Sequence, residues 1–215
     1  MKALALLSLL VSLLAGACSY GAGVSTSQPT GPAFRDILPK GSFDGWHTAP
    51  GGAWEWRGDV LVGTSPKSER RHGILLTDRR YTDFEVELEF RVVSGDSGFY
   101  FRVDEKPGAV AVHGFQSEID TTLETGGLYE TGGRAWVVKP DAERMRDVYR
   151  PGEWTRLRVR AVGRDVTVHV NDVQTAALRD DPGRLEGHLG LQLHGGMDMH
   201  VEYRRLRLRD LSADS

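Results

Sequence analysis

The segment Gly114 to Asp120 reads Gly-Phe-Gln-Ser-Glu-Ile-Asp and sets polar side chains at every second position. In a β-strand, successive side chains point to opposite faces, so Gln116, Glu118 and Asp120 share one face at steps of ~7 Å, and Phe115, Ser117 and Ile119 take the other. Two carboxyl groups beside an amide do nothing for packing, and burying them is costly. What such a pair can do is move protons. Neighbouring carboxylates resist ionising together, which pushes one pKa up and suits a division into acid and base at neutral pH. Glu118 and Asp120 are therefore the leading catalytic candidates, one as base and the other orienting it or protonating a leaving group. Gln116 is suited to holding a hydroxyl. The plainer alternative has both acids facing solvent and paired with arginines.

Further candidates come from the same alternation. His194 follows the strand-like Leu189-Gly190-Leu191-Gln192-Leu193 and shares parity with Gln192 on its polar face, so it is a third catalytic candidate and Gln192 a binding one. A histidine there can act as acid, base or hydrogen-bond donor. Arg102 has the parity of Tyr100, opposite Phe99, Phe101 and Val103, and from that face it could reach a developing oxyanion with a permanently charged fork. Tyr129, Arg134 and Trp136 fall in a glycine-bounded stretch after the acidic strand, read as a loop that leans over the sheet and offers an aromatic platform. Trp46, Trp54, Trp56 and Trp154 read as packing residues. The other histidines lack metal-ligand spacing; His188 and His194, for instance, would lie ~20 Å apart along an extended strand. No metal and no cofactor is expected.

The elements that must position these groups are strands. Asp83 to Val93 alternates Phe84, Val86, Leu88, Phe90 and Val92 against Glu85, Glu87, Glu89 and Arg91, as a half-exposed antiparallel strand does. The same period recurs at Leu157 to Ala161, Val166 to Val170 and Leu189 to Leu193, separated by turn clusters such as Ser94-Gly95-Asp96 and Val162-Gly163-Arg164-Asp165. Val201 and Tyr203 are odd while Leu206 and Leu208 are even, which predicts a bulge between them. Pro140 to Tyr149 alone suggests a helical turn or two. An all-β sandwich of two antiparallel sheets follows, with 26 glycines to serve its turns.

The first 17 residues carry one positive charge at Lys2 and an apolar run too short to span a membrane, as an export signal does. Leu14-Ala15-Gly16-Ala17-Cys18 resembles a lipobox, and Cys18, the one cysteine in the chain, has no disulfide partner; lipidation explains it. Residues 18–33 then read as a lipidated cysteine and flexible tether, and 34–215 as one domain. The expected location is outside the cytoplasm, lipid-anchored on the periplasmic side of an outer membrane or at the cell surface. With a formal net charge of -3 and no basic tract, nucleic acid is not an expected partner.

In order and spacing, DGWHT at Asp44, WEWRGDVLVG at Trp54, GILLTDRRYTDFEVELEFRV at Gly73, GDSGFYFR at Gly95, GFQSEID at Gly114, GGLYETGGRAW at Gly126, GEWTRLRVRAVG at Gly152 and GLQLHGG at Gly190 resemble the 3-keto-disaccharide hydrolase family over essentially the whole body. Where one branch of that family has Tyr-Glu-x-Gln-Ile, this chain has Phe115-Gln116-Ser117-Glu118-Ile119. The resemblance implies a concanavalin-like jelly roll and cleavage of a glycoside already oxidised to a ketone at C3. A base would take the acidified C2 proton, the group on C1 would leave, and water would add back. Such chemistry needs a base near C2, a donor near the C3 oxygen and an acid for the departing oxygen. Glu118, Asp120 and His194 are then the catalytic set, with Arg102, Gln116, Tyr129, Arg134, Trp136 and Gln192 binding an oxidised sugar. Two alternatives remain. Glu118-Ile119-Asp120 also resembles the start of the laminarinase-like glucanase signature, but its next acid, Glu124, comes too late for a retaining pair. A membrane-tethered, lectin-like binding module would need the aromatic platform and amides without the acids.

Overall fold

The computed structural model describes residues 32–212; the export signal, Cys18 and residues 19–31 lie outside the described residues, as do 213–215. The strands are β1 (Arg35–Asp36), β2 (Trp46–Ala49), β3 (Ala53–Arg57), β4 (Val60–Ser65), β5 (Gly73–Thr77), β6 (Phe84–Ser94), β7 (Asp96–Glu105) and β8 (Val112–Asp120). After them come β9 (Leu128–Thr131), β10 (Ala135–Val138), helix α1 (Ala142–Val148), β11 (Thr155–Val162), β12 (Asp165–Val170), β13 (Val173–Leu178), β14 (His188–Leu193) and β15 (Met199–Asp210). They form two antiparallel sheets. The larger runs β13-β12-β11-β6-β15-β4-β3 with β1 on β15, and the smaller runs β10-β9-β8-β7-β14-β5-β2.

The half-exposed reading of β6 is what the sheet shows. Phe84, Val86, Leu88 and Phe90 are buried in the core while Glu85, Glu87, Glu89 and Arg91 line the outer face. Leu157 and Val159 of β11, Val166 and Val168 of β12, and Val201, Tyr203 and Leu208 of β15 face the same core. From the smaller sheet Phe99, Phe101, Phe115, Ile119, Leu189, Leu191 and Leu193 meet them. The parity change in β15 is a bulge: its pairing with β6 shifts between Arg204 and Arg207, and Arg205 takes a positive φ of 55°. Helix α1 is the short helical stretch near Tyr149, capped by Asp141, which accepts from Arg144 N at 2.9 Å.

Two features differ from the sequence reading. The smaller sheet is covered on its outer face as well: Ala49, Ile74, Leu76, Tyr100, Val103 and Val112 form a second apolar cluster. Above it the chain around His72 is tied to the loop 106–111 by His72 N donating to Ala109 O at 2.7 Å. The stretch after Gly126 is a hairpin rather than a loop, β9 pairing β10 with Tyr129 opposite Trp136.

The chain passes from the larger sheet to the smaller between β6 and β7 through Gly95 alone. Its φ is 89°, and a Cβ there would lie 2.2 Å from Met199 Sδ, so only glycine fits.

Candidate functional site

Strands β7, β8 and β14 lie side by side in the smaller sheet, and their outward side chains meet in a cavity of about 390 Å³. Gln116, Glu118 and Asp120 come from β8, Asp96 and Tyr100 from β7, Gln192 and His194 from β14 and its end, and His72 from the covering segment. Tyr129, Thr131 and Trp136 reach it from the β9–β10 hairpin. A cleft of similar size, about 400 Å³, lies by the larger sheet between Leu38, Trp56, Leu61 and Leu206; it is chiefly apolar, and of its two acids, Asp36 and Asp59, the latter is exposed and paired with Lys40.

Glu118 is 7% exposed. Burial first, then the carboxylates of Asp96, Asp120 and Glu124, raise its pKa well above the ordinary glutamate value. Its close carboxyl partner is Asp96 rather than Asp120. Burial raises the Asp96 pKa too, while a hydrogen bond from Glu118 and the nearby His194 pull it the other way. One carboxyl oxygen of Asp96, Oδ1, is buried without a hydrogen-bond partner. Asp120 is instead committed to its own turn: Oδ1 accepts from Thr122 N at 2.9 Å and Thr125 Oγ1 at 2.8 Å, and Thr122 Oγ1 donates to Oδ2. Its carbonyl accepts from the buried Tyr149 hydroxyl just beyond α1.

A run of amides links Glu118 to the histidines. Gln116 Nε2 donates to both Glu118 carboxyl oxygens at 3.1 Å and to Gln192 Oε1 at 3.2 Å. Gln192 Nε2 in turn donates to His72 Nδ1 at 3.0 Å and to the Tyr100 hydroxyl at 3.3 Å. Gly98, paired with Glu118, makes room for this, because a Cβ there would come within 2.6 Å of Gln116 Cγ.

The two imidazoles pack with ring centroids 4.2 Å apart. Burial, aided by His194, lowers the His72 pKa to about 4, so His72 is neutral at physiological pH. Since its Nδ1 accepts from Gln192, its proton sits on Nε2. His194 has the opposite arrangement: Nδ1 donates to Gly195 O at 2.8 Å, so Nε2 is the ring nitrogen left for other partners. The pocket thus brings the His72 N–H donor and the His194 imidazole into contact, near a carboxyl group whose pKa burial and Asp96 push well up.

At the mouth, Tyr129 and Trp136 meet edge to face at 5.5 Å, and Lys139 lies over the Trp136 ring while pairing with Glu124. The parity of these strands aims both rings at the cavity.

Two expected binding residues point elsewhere. Arg102 is turned away because the β7–β8 register slips between Phe101 and Asp104 and Arg102 itself adopts a φ of 52°, which reverses the alternation counted from sequence. Its guanidinium is buried against Thr82 O, Gly163 O, Arg184 O and the Asp83 carboxylate, stitching the sheets together at the turn between β11 and β12. Arg134 is held by Glu130 and Asp181, above the Phe115 ring.

Asp96 and His72 are the residues that sequence reasoning missed. Asp96 was legible from parity, two and four residues before Gly98 and Tyr100, but stood in a cluster read as a turn. His72 lies outside any strand, and nothing local marks it. Among the described residues no group of three or more His, Cys, Asp or Glu is arranged to hold a metal ion.

The fold is shared with solved carbohydrate-related proteins at low identity. The chain matches the carbohydrate-binding module CBM66 from Bacillus subtilis at 17% identity and a TM-score of 0.61, covering 77% of this chain and 96% of that one. A candidate glycosyl hydrolase from Parabacteroides distasonis ATCC 8503 matches at 16% identity and a TM-score of 0.63, with 83% and 94% covered. A Bacillus subtilis protein of unknown function with a galectin-like fold matches at 11% identity and a TM-score of 0.62, again with 83% and 94% covered. No curated protein matches the sequence. The model of the 3-keto-alpha-glucoside-1,2-lyase-like domain matches residues 33–209, nearly the whole body, and the chain belongs to that family.

Proposed function

We propose that the protein cleaves the glycosidic bond of 3-keto-glycosides by removing the C2 proton, expelling the C1 substituent and then adding water. The observation that carries this reading is the buried Glu118, whose pKa burial and Asp96 raise well above the ordinary value, in a cavity that also holds the His194 and His72 imidazoles. His194 Nε2 takes the C2 proton, and the electron pair moves into the C2–C3 bond and onto the C3 oxygen. His72 Nε2–H donates to that oxygen as charge develops, a task for which a neutral imidazole serves. The enolate then re-forms the C3 carbonyl, a C1–C2 double bond appears, and the C1–O bond breaks as Glu118 protonates the departing oxygen. Water adds at C1 of the enone, giving its proton to the ionised Glu118, and C2 recovers a proton from His194. Every group ends in its starting state. Gln116 and Gln192 orient these side chains, and Tyr129 and Trp136 offer the sugar a platform.

The purified chain should release glucose from 3-keto-trehalose and leave trehalose intact. Glu118→Gln should lower that turnover roughly 10³-fold while substrate still binds. A 3-keto-glucoside with a nitrophenol leaving group, which departs without an acid, should be largely spared by the same change, whereas His194→Ala should lose both substrates. Equal loss of both in Glu118→Gln would make Glu118 the base and not the acid.

A second reading is favoured by the aromatic hairpin together with the likeness to CBM66: a binding module that holds sugar in the same cavity. It requires that no 3-keto-glycoside is cleaved and that Glu118→Gln leaves sugar affinity unaltered.

A further inference from the structure

The outer face of the larger sheet takes no part in that chemistry, yet its charges are ordered. Glu85, Glu87 and Glu89 of β6 lie in register between Arg160, Arg158 and Arg156 of β11 on one side and Arg209, Arg207 and Arg204 of β15 on the other. The acids form the floor: Glu85, Glu87 and Glu89 side chains are 13%, 20% and 19% exposed, against 47% for Arg156, 47% for Arg207 and 69% for Arg205. With Arg91 and Glu202 included, these strands set eight arginines (91, 156, 158, 160, 204, 205, 207 and 209) over four glutamates (85, 87, 89 and 202); Asp172 pairs with Arg156, which leaves a surplus of three positive charges, and Asp210 at the end of β15 pairs with Arg79. Arg205 and Arg207 stay well exposed while paired, and a guanidinium's several donors suit phosphate.

Two aromatic rings sit among them. Trp154 lies under Arg91 and Arg204 at 5.1 and 4.0 Å, and Phe34 under Arg207 and Arg209 at 5.5 and 4.4 Å. A depression of about 250 Å³ opens between Trp154, Arg156 and Arg204, with Glu89, Asn171 and Asp172 also on its lining. Phe34 is also where the chain enters, since β1 begins at Arg35 and pairs along β15. Only the thirteen residues Ser19 to Gly31 separate Cys18 from Pro32. An anchor at Cys18, as the sequence suggests, would thus join the folded unit by the end of the chain that leads into this sheet.

We propose that this arginine-rich face rests on an anionic phospholipid surface, its guanidiniums taking lipid phosphates and Trp154 lying at headgroup level. The catalytic cavity, on the outer side of the smaller sheet, then opens away from the membrane. Attachment in this mode is independent of the catalytic reading.

The test uses the chain from Ser19 onward, which lacks Cys18 and retains the whole compact unit Gly31–Ser215 with its own core. It should co-sediment with phosphatidylcholine vesicles containing about 30% phosphatidylglycerol and not with phosphatidylcholine alone, and raising salt from about 0.05 to about 0.5 M should release it. The double variant Arg205→Gln/Arg207→Gln should weaken partitioning about 25-fold, roughly fivefold per charge, with an unchanged circular dichroism spectrum. Lys106→Gln, in the loop over the smaller sheet, should bind as the parent does. The proposal is overturned by equal binding to neutral vesicles, by no binding to anionic ones at low salt, or by retention on heparin without vesicle binding. Should the double variant not fold, the lipid and salt dependence of the parent chain decides.

Discussion

Both outer faces of the sandwich present acids at every second position of a central strand, and the two sets meet opposite fates. On β6, Glu89 is partly buried, which alone would raise its pKa, but hydrogen bonds and charge from Arg204 and Arg205 outweigh that and hold it below the ordinary value. On β8, Glu118 has no ion-pair partner among the described residues; its cross-strand neighbours are Gly98 and, two pairs along on the same face, Asp96 and Tyr100. One carboxyl group is therefore held toward its anion in a ladder and the other toward its protonated form. Strand, spacing and residue type are alike. The neighbouring strands decide, because in a sheet the cross-strand partner sets a side chain's electrostatic surroundings more than its own sequence does.

The comparison can be broken most forcefully by giving Glu118 what Glu89 has. Asp96→Arg should ionise Glu118 at neutral pH and lower turnover of 3-keto-trehalose by roughly 10²-fold or more, with the fold retained; normal turnover in a folded Asp96→Arg protein would refute the role of the Glu118 proton. Next in size is Arg102, a cation of the smaller sheet that serves neither face. Arg102→Met removes a buried guanidinium that donates to three carbonyls and should cost about 3 kcal/mol in urea unfolding, with sugar affinity little changed at a temperature where the variant is folded.

Smaller effects separate the two acids by the sign of their linkage to pH. Glu118 has a raised folded pKa, so it costs the native state stability as pH rises from about 4.5, where the unfolded chain ionises, up to its folded value, and the cost persists above. Glu118→Gln should accordingly stabilise the fold by at least about 1 kcal/mol at pH 7, with the gain vanishing below about pH 4.5. Glu89 has a depressed folded pKa; its contribution is present above its unfolded value and lost as pH falls through the folded one. Glu89→Gln should thus destabilise by about 1 kcal/mol at pH 7, with the difference closing in acid. Thermal melts of both variants from pH 3 to about 8 would show the two opposite trends, and parallel trends would remove the distinction.

How far the sequence carries depends on whether alternation holds. It gave the faces of β6, β8 and β14 correctly, and with them the placement of Gln116, Glu118, Gln192 and His194, because those stretches keep an unbroken period of two. It placed Arg102 on the wrong side because one bulge reverses parity, and a bulge of a single residue with positive φ carries no reliable signature when that residue is an arginine. The bulge near Arg205 was legible only because apolar residues on both sides recorded the shift. Asp120 shows a different limit. Its side is as expected, but the turn hydrogen bonds that occupy its carboxylate come from Thr122 and Thr125, and spacing alone does not separate a turn-capping aspartate from a catalytic one. The pairing of His72 with His194 joins positions far apart in sequence through a loop, where periodicity has nothing to report.

The Gly95 corner has a consequence for how the scaffold can change. Because the arginine-flanked strand and the strand bearing Asp96 are consecutive, an inserted or deleted residue at that corner would slip the pairing of β6 and β7 in both sheets at once. The loop 106–111, by contrast, borders the cavity through Val110 and spans no sheet crossing. Variation in the cavity's ligand preference is therefore freer to accumulate in that loop, while the corner stays fixed in length.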